Sequence, residues 1–250
     1  MASPQRIINN INISLYKQSL KFARKSVSSS SLPLDNMIGC WLFDDGDYTG
    51  APNEVIDSSG NGYHGRTFGV TYIVNRNSIN RCIKFQKNSI NLGNPLNAFD
   101  FSDSDDWSIG CWFKTKSNDR MEILQKGNTA IPVYHLYIHR GILIYEAGIT
   151  KLAVNSIKCN DDNWHLVVVT IDRTADIVRL YYDGIEEKTL NIVPNASYDG
   201  IGNLMIGTLF NGTNQFIGEI DDVFIRGKVT TLFETLSMYN RRIGRKIVST

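Results

Sequence analysis

The sequence has no Cys-x-x-Cys pair. Its four cysteines, Cys40, Cys82, Cys111 and Cys159, are dispersed, which argues against a zinc site. Three of them sit in apolar, strand-like runs, where cysteine behaves as a small hydrophobe. No apolar run is long enough to cross a bilayer. The most apolar N-terminal stretch, residues 7–20, is interrupted by Asn9, Asn10, Asn12, Ser14, Lys17 and Gln18. It therefore does not read as a secretory leader, and that counts against disulfides. The expectation is synthesis in the cytoplasm without a signal peptide, even for a protein that works in an extracellular assembly. Neither sign of charge is in excess: Lys+Arg 26 against Asp+Glu 25 leaves +1, so the fold as a whole is no trap for nucleic acid. No P-loop and no Ser/His/Asp set occurs.

The charge that is present is unevenly placed. Residues 1–36 carry Arg6, Lys17, Lys21, Arg24 and Lys25 against Asp35, a net +4. Residues 241–250 carry Arg241, Arg242, Arg245 and Lys246, again +4, so the 37–240 body stands at −7. Ser28, Ser29, Ser30 and Ser31 followed by Leu32-Pro33 read as a flexible break. The organisation is thus a basic arm with a Ser-rich linker (1–36), a body (37–240) and a basic tail (241–250). The nine basic residues of the two ends are the expected docking points on a larger assembly.

From Met37 onward the signal is strand and turn. Apolar or alternating runs occupy 38–43, 81–85, 89–92, 107–114, 134–139, 142–145, 164–171, 177–182, 187–192, 203–208 and 216–226. Asp183-Gly184 and Arg140-Gly141 are hairpin turns. The 164–171 run is almost continuously apolar and predicts a central strand buried on both faces. Residues 121–126 and 208–215 read as loops or strand ends, the polar 211–215 stretch being a fair recognition loop. Helical periodicity is confined to 230–239 in the body. About a dozen short strands at this spacing predict an all-β, two-sheet antiparallel jelly-roll sandwich.

Several separated motifs occur in one order: Trp41-Leu42-Phe43-Asp44, the turn-rich 57–65 loop, Cys82-Ile83-Lys84-Phe85, then residues 107–113, 163–170, 180–184 and 218–223. Together they resemble laminin-G-like jelly rolls of the concanavalin A-like lectin/glucanase superfamily. The resemblance implies two packed sheets with the first and last strands adjacent. In many members it also implies a structural calcium ion, whose ligands here would be Asp44, Asp57, Asn61, Gly62 and Asp221. Glycine-rich loops suit such a hard cation because they offer backbone carbonyls.

Two further constellations invite a function. In the 134–139 run, His135, Tyr137 and His139 share one strand face, an arrangement suited to stacking on a sugar and bonding its hydroxyls. Glu219-Ile220-Asp221 resembles part of a glucanase strand motif, but Val223, Phe224 and Ile225 stand where the further carboxylate would fall, so the catalytic pair is incomplete. The leading expectation is a non-enzymatic binding and display module. It would be a phage or virus virion protein, present in many copies or as a homo-oligomer, that offers a lectin-like domain to a surface glycan or protein. A purely structural virion protein and a glycoside hydrolase or lyase are the alternatives.

Overall fold

The computed structural model describes residues 35–44, 48–69, 71–76, 81–128, 132–148, 150–155, 158–192 and 198–240. The arm residues 1–34 and the tail 241–250, with all nine basic docking candidates, lie outside them.

The strands form where apolar and polar residues alternate, because alternation puts one side of the ribbon against a core. They build two antiparallel sheets. One runs β13 (Ile185–Asn191), β12 (Ile177–Tyr182), β11 (His165–Asp172), β6 (Trp107–Lys114), β15 (Ile217–Arg226), β4 (Arg81–Gln86), β3 (Tyr72–Asn75), with β1 (Met37–Trp41) also on β15. The other runs β10 (Thr150–Val154), β9 (Ile142–Ala147), β8 (Tyr134–His139), β7 (Met121–Lys126), β14 (Leu204–Ile206), β5 (Ser89–Gly93), β2 (Arg66–Phe68). In β6, Trp107, Ile109, Cys111 and Phe113 enter the core between the sheets, while Trp112 points away. Trp107 lies flat on Phe101, centroids 4.2 Å apart, with Tyr134 at 4.8 Å. All four cysteines are buried and free.

The expected adjacency of first and last strands holds: Cys40 pairs with Phe224 and Trp41 with Val223. Arg226, fully buried, reinforces it by donating to Asp35 Oδ1 at 2.8 Å and Glu234 Oε1 at 3.0 Å. Glu234 belongs to α1 (Leu232–Asn240) and closes a capping box with Thr231, accepting the Thr231 N–H at 2.8 Å while its own N–H donates to Thr231 Oγ1 at 3.2 Å.

Helix α1 covers the outer face of the eight-stranded sheet. Trp112, Leu166, Val168, Tyr181 and Phe224 form a second apolar cluster there, against Met238 and Tyr239. This is why β11 is apolar on both sides: Val167, Val169 and Ile171 face the main core, Leu166 and Val168 the helix side. Beside this cluster Arg76 inserts its guanidinium between two indoles, 4.4 Å from Trp112 and 4.7 Å from Trp164. It pairs with Asp221 at 2.8 Å and Asp222 at 2.9 Å. Burial raises both carboxyls and Arg76 opposes that shift.

Residues 121–126 correct the sequence reading. They are β7, an interior strand between β8 and β14, and not an edge loop. Glu122, Gln125 and Lys126 disguise it, yet all three are fully buried. Partners far in sequence make that tolerable: Glu122 meets His135, and Lys126 meets Asp100 at 2.6 Å.

Two outcomes follow. Arg76→Ala leaves the buried Asp221 and the half-buried Asp222 without their cation and is expected to cost about 3–5 kcal/mol of unfolding free energy, read by urea denaturation. His165 bonds Asp183 through Nδ1 and Asp161 through Nε2, each at 2.9 Å. Burial alone would lower its pKa, but the two aspartates outweigh it and raise the pKa above 6.5. The stabilisation is therefore fully present below the unfolded-state pKa and lost as pH rises through the folded one. Melting temperatures of the native chain should fall across that upper window, and those of His165→Gln should lack this component.

Candidate functional site

The outer face of the seven-stranded sheet has no helix over it among the described residues. Strand registers align one residue from each strand into a row across it: Arg66, Asn91, Met205, Gln125, His135, Glu146, Lys151. Side chains on adjacent strands in register are neighbours, so the row makes one surface. Its two halves differ.

The β7–β10 half is closed by its own charges. His135 and Tyr137 are on the expected face, opposite the core residues Leu136 and Ile138, but only 4% and 3% exposed. Their rings stack with centroids 4.6 Å apart. Glu122 holds His135 Nδ1 at 2.9 Å, Arg120 lies 4.5 Å over the Tyr137 ring, and the Tyr137 hydroxyl donates to Glu146 at 2.9 Å. Burial would raise the Glu146 carboxyl, yet hydrogen bonds from Lys151 and Tyr137 hold it below its ordinary range. His139 is half-buried at the strand end. The row is thus brought together as a packed polar network, not as an open platform.

The β2–β5–β14 half is open. A groove of about 590 Å³ lies there, floored by Ser89, Asn91 and Met205. Its rims are Phe68 on one side, Phe210 on another, and the 127–128 and 201–203 segments. Phe68 is 44% and Phe210 38% exposed, and the Arg66 guanidinium lies 5.1 Å from the Phe68 ring centroid, over one of its faces. Phe68 reaches this face because Arg66 and Phe68 alternate with buried Thr67 along β2. Gly202 fixes the far rim: its φ is +123°, and a Cβ there would lie 2.3 Å from the Gly127 carbonyl carbon, so only glycine lets the two segments meet.

Residues 86–232, more than half of the chain, match a laminin G family model of the concanavalin A-like lectin/glucanases superfamily. The chain belongs to this superfamily. No curated protein sequence matches it. Among solved structures, this laminin-G-like chain is similar in fold to the binding domain of Paraclostridial Mosquitocidal Protein 1 (TM-score 0.67, 16% identity, 84% of this chain and 53% of that one). It is similar also to the Botulinum Neurotoxin serotype G binding domain (0.59, 16%, 83% and 51%). A third is domain 4 of AbnA, a GH43 extracellular arabinanase from Geobacillus stearothermophilus, in complex with arabinotriose (0.60, 15%, 82% and 98%). The chain spans about half the length of the toxin domains. At these identities the likeness carries the fold alone.

The calcium ligands expected from the resemblance are otherwise engaged. Asp57 is a hydrogen-bond hub: Oδ1 accepts the Cys40 and Ser59 N–H groups at 2.9 Å, and Oδ2 accepts Ser59 Oγ at 2.7 Å and the Tyr63 N–H at 3.0 Å. Asn61 turns its amide nitrogen onto the Met37 and Ile38 carbonyls at 2.9 and 3.0 Å. Asp44 accepts the Arg81 N–H at 3.0 Å, and Asp221 is held by Arg76. Gly62 takes φ +77° in the loop. The 57–62 loop thus staples β1 through N–H donors. A calcium cage needs carboxylate lone pairs free and converging; Asp57 and Asp221 give both of their oxygens to donors, and the fit of this set to the ion is poor at those two positions. Among the described residues, no three His, Cys, Asp or Glu side chains cluster to hold a metal.

Sequence reasoning passed over Phe68, Asn91 and Met205, which lie far apart in the chain and meet only through β-pairing. Of the polar 211–215 stretch that the sequence offers as a recognition loop, Gly212 lines the groove, and Phe210 stands just before it. Asp57→Ala is expected to lower stability by about 2–4 kcal/mol, since it orphans several buried or half-buried donors at once. EDTA should leave the melting temperature of the native chain unchanged; a large fall would restore the calcium assignment.

Proposed function

We propose that this protein is a non-catalytic glycan-binding module that takes its ligand in the groove beside Phe68. The observation that carries this reading is the combination of two exposed phenylalanines, Phe68 and Phe210, with Ser89, Asn91, Asn128 and Asn203 in one depression. Aromatic faces stack on the apolar face of a sugar ring, and amides and hydroxyls bond its equatorial oxygens. That the arabinanase domain of this fold was solved with arabinotriose supports the ligand class.

A hydrolytic role draws little support from the acidic strand. Glu219 pairs with Lys114 at 3.4 Å, and a bulge at Asp221 and Asp222 turns the chain so that Val223 faces the core. Asp221 is fully buried against Arg76, out of reach of a substrate. Multi-copy display on a larger assembly such as a virion, through the basic ends, completes the proposal. Its support is compositional, the +4 of each terminal segment.

The test is a glycan array probed with the full chain, followed by calorimetric titration of the best ligand. Phe68→Ala should weaken binding by about tenfold or more, the loss of one buried aromatic contact. Glu219→Gln should leave binding unchanged. Reducing sugar released from a bound polysaccharide, and lost in Glu219→Gln, would reinstate the hydrolase.

A further inference from the structure

Among the described residues the lining of the open groove carries no charge; amides, hydroxyls, glycines and apolar side chains make it up. One cation stands at its edge. Arg66 and Phe68 lie on the same face of β2, and Arg66 is in register with Asn91 on the groove floor. The guanidinium reaches over the Phe68 ring. A positive charge therefore lies beside any ligand that stacks at Phe68.

This guanidinium is held in place without being neutralised. Its Nε donates to the Gly50 carbonyl, and the Phe68 ring backs it. Gly50 is fixed in turn by Glu54, whose carboxylate accepts the N–H groups of Thr49 at 2.6 Å, Gly50 at 2.9 Å and Ala51 at 3.1 Å. The same carboxylate accepts the Thr67 N–H at 3.2 Å and the Thr67 hydroxyl. Burial would raise the Glu54 carboxyl, but these donors pull it down to about 2. Glu54 is thus engaged by N–H and O–H groups of its own loop and of β2. Among the described residues Arg66 bonds Gly50 through Nε and forms no ion pair, which leaves its terminal N–H groups for another acceptor.

Asn91 adds a second donor. Its Oδ1 accepts the Gly93 N–H at 2.8 Å, so the amide is turned with Nδ2 as the remaining polar atom. No acceptor meets that nitrogen among the described residues. A guanidinium fork and an amide NH2 on neighbouring strands match the several oxygens of a carboxylate or sulfate. A lone hydroxyl of a neutral sugar engages such donors singly and leaves the charge unmatched.

We propose that the groove selects glycans bearing a carboxylate or sulfate, with the sugar ring stacked at Phe68 and its anionic group against the terminal nitrogens of Arg66, which is the specificity-determining residue. This rests on the glycan-binding reading and names the ligand class of that site.

The experiment uses the full chain on an array that pairs uronate, sialylated and sulfated glycans with their carboxyl-reduced or desulfated counterparts. Calorimetry then follows on both members of the best-bound pair. The acidic member is expected to bind about tenfold or more tightly than its counterpart, and the difference should shrink as sodium chloride is raised. Arg66→Gln should bring the acidic member down to the level of the neutral one. Asn91→Asp keeps the acceptor for the Gly93 N–H, places a negative charge beside Arg66, and should abolish the preference as well. Equal affinities within the pair, preference for the neutral member, or an Arg66→Gln variant that retains the native ratio would overturn the acidic specificity while glycan binding stands. The last result is what Arg66 would give as a mere brace of the 49–54 loop. An array without any bound glycan, or a Phe68→Ala variant that binds both members as the native chain does, would overturn both readings. Arg66 is exposed, so its variant is expected to fold normally, and a thermal melt checks this.

Discussion

A two-sheet sandwich has two inner faces and two outer ones, and in this protein a third face is also buried. Helix α1 and the Arg76 insertion cover the outside of the eight-stranded sheet. The consequence runs through the whole molecule. Strand β11 is apolar on both sides, β6 and β15 send Trp112 and Phe224 to the helix side, and Asp221 and Asp222 of β15 are met in place by Arg76. The outside of the seven-stranded sheet and the loops at its ends are left uncovered by any helix among the described residues.

That remaining outer face is itself divided by electrostatics. Buried charge is tolerated only with a partner in good geometry. Around β8 the partners are close: Glu122 with His135, Glu146 with Tyr137 and Lys151. Those contacts satisfy the side chains by closing the surface over them. Toward β2 the strands are short and carry Ser89, Asn91 and Met205, which have no comparable network, and the surface stays open. One sheet thus presents a sealed half and an accessible half.

The legibility of this chain varied with the range of the interactions. β6 and β12 could be read to the residue, because alternation and the Asp183-Gly184 turn are local signals. β7 could not, because Glu122, Gln125 and Lys126 look like loop residues until His135 and Asp100 are known to stand beside them. The row expected to bind a sugar differs in the opposite sense. His135 and Tyr137 were visible as a strand face, but their closure by Arg120, Glu122 and Glu146 depends on cross-strand register. The same holds for Asp57, whose loop reads as a cation site when its own oxygens are considered alone and as a strand staple once the Cys40 and Tyr63 N–H groups are in place.

By itself the sequence determined the all-β sandwich, through periodicity, and the superfamily, through ordered motifs carried by contiguous residues; the adjacency of the first and last strands is what that resemblance implies. Only the tertiary structure decided which face is free, which polar residues are consumed as internal partners, and where Phe68, Asn91 and Phe210 converge. The physical reason is that burial of a polar or aromatic side chain is set by what lies across the sheet from it, and that neighbour is fixed by strand pairing between residues distant in the chain.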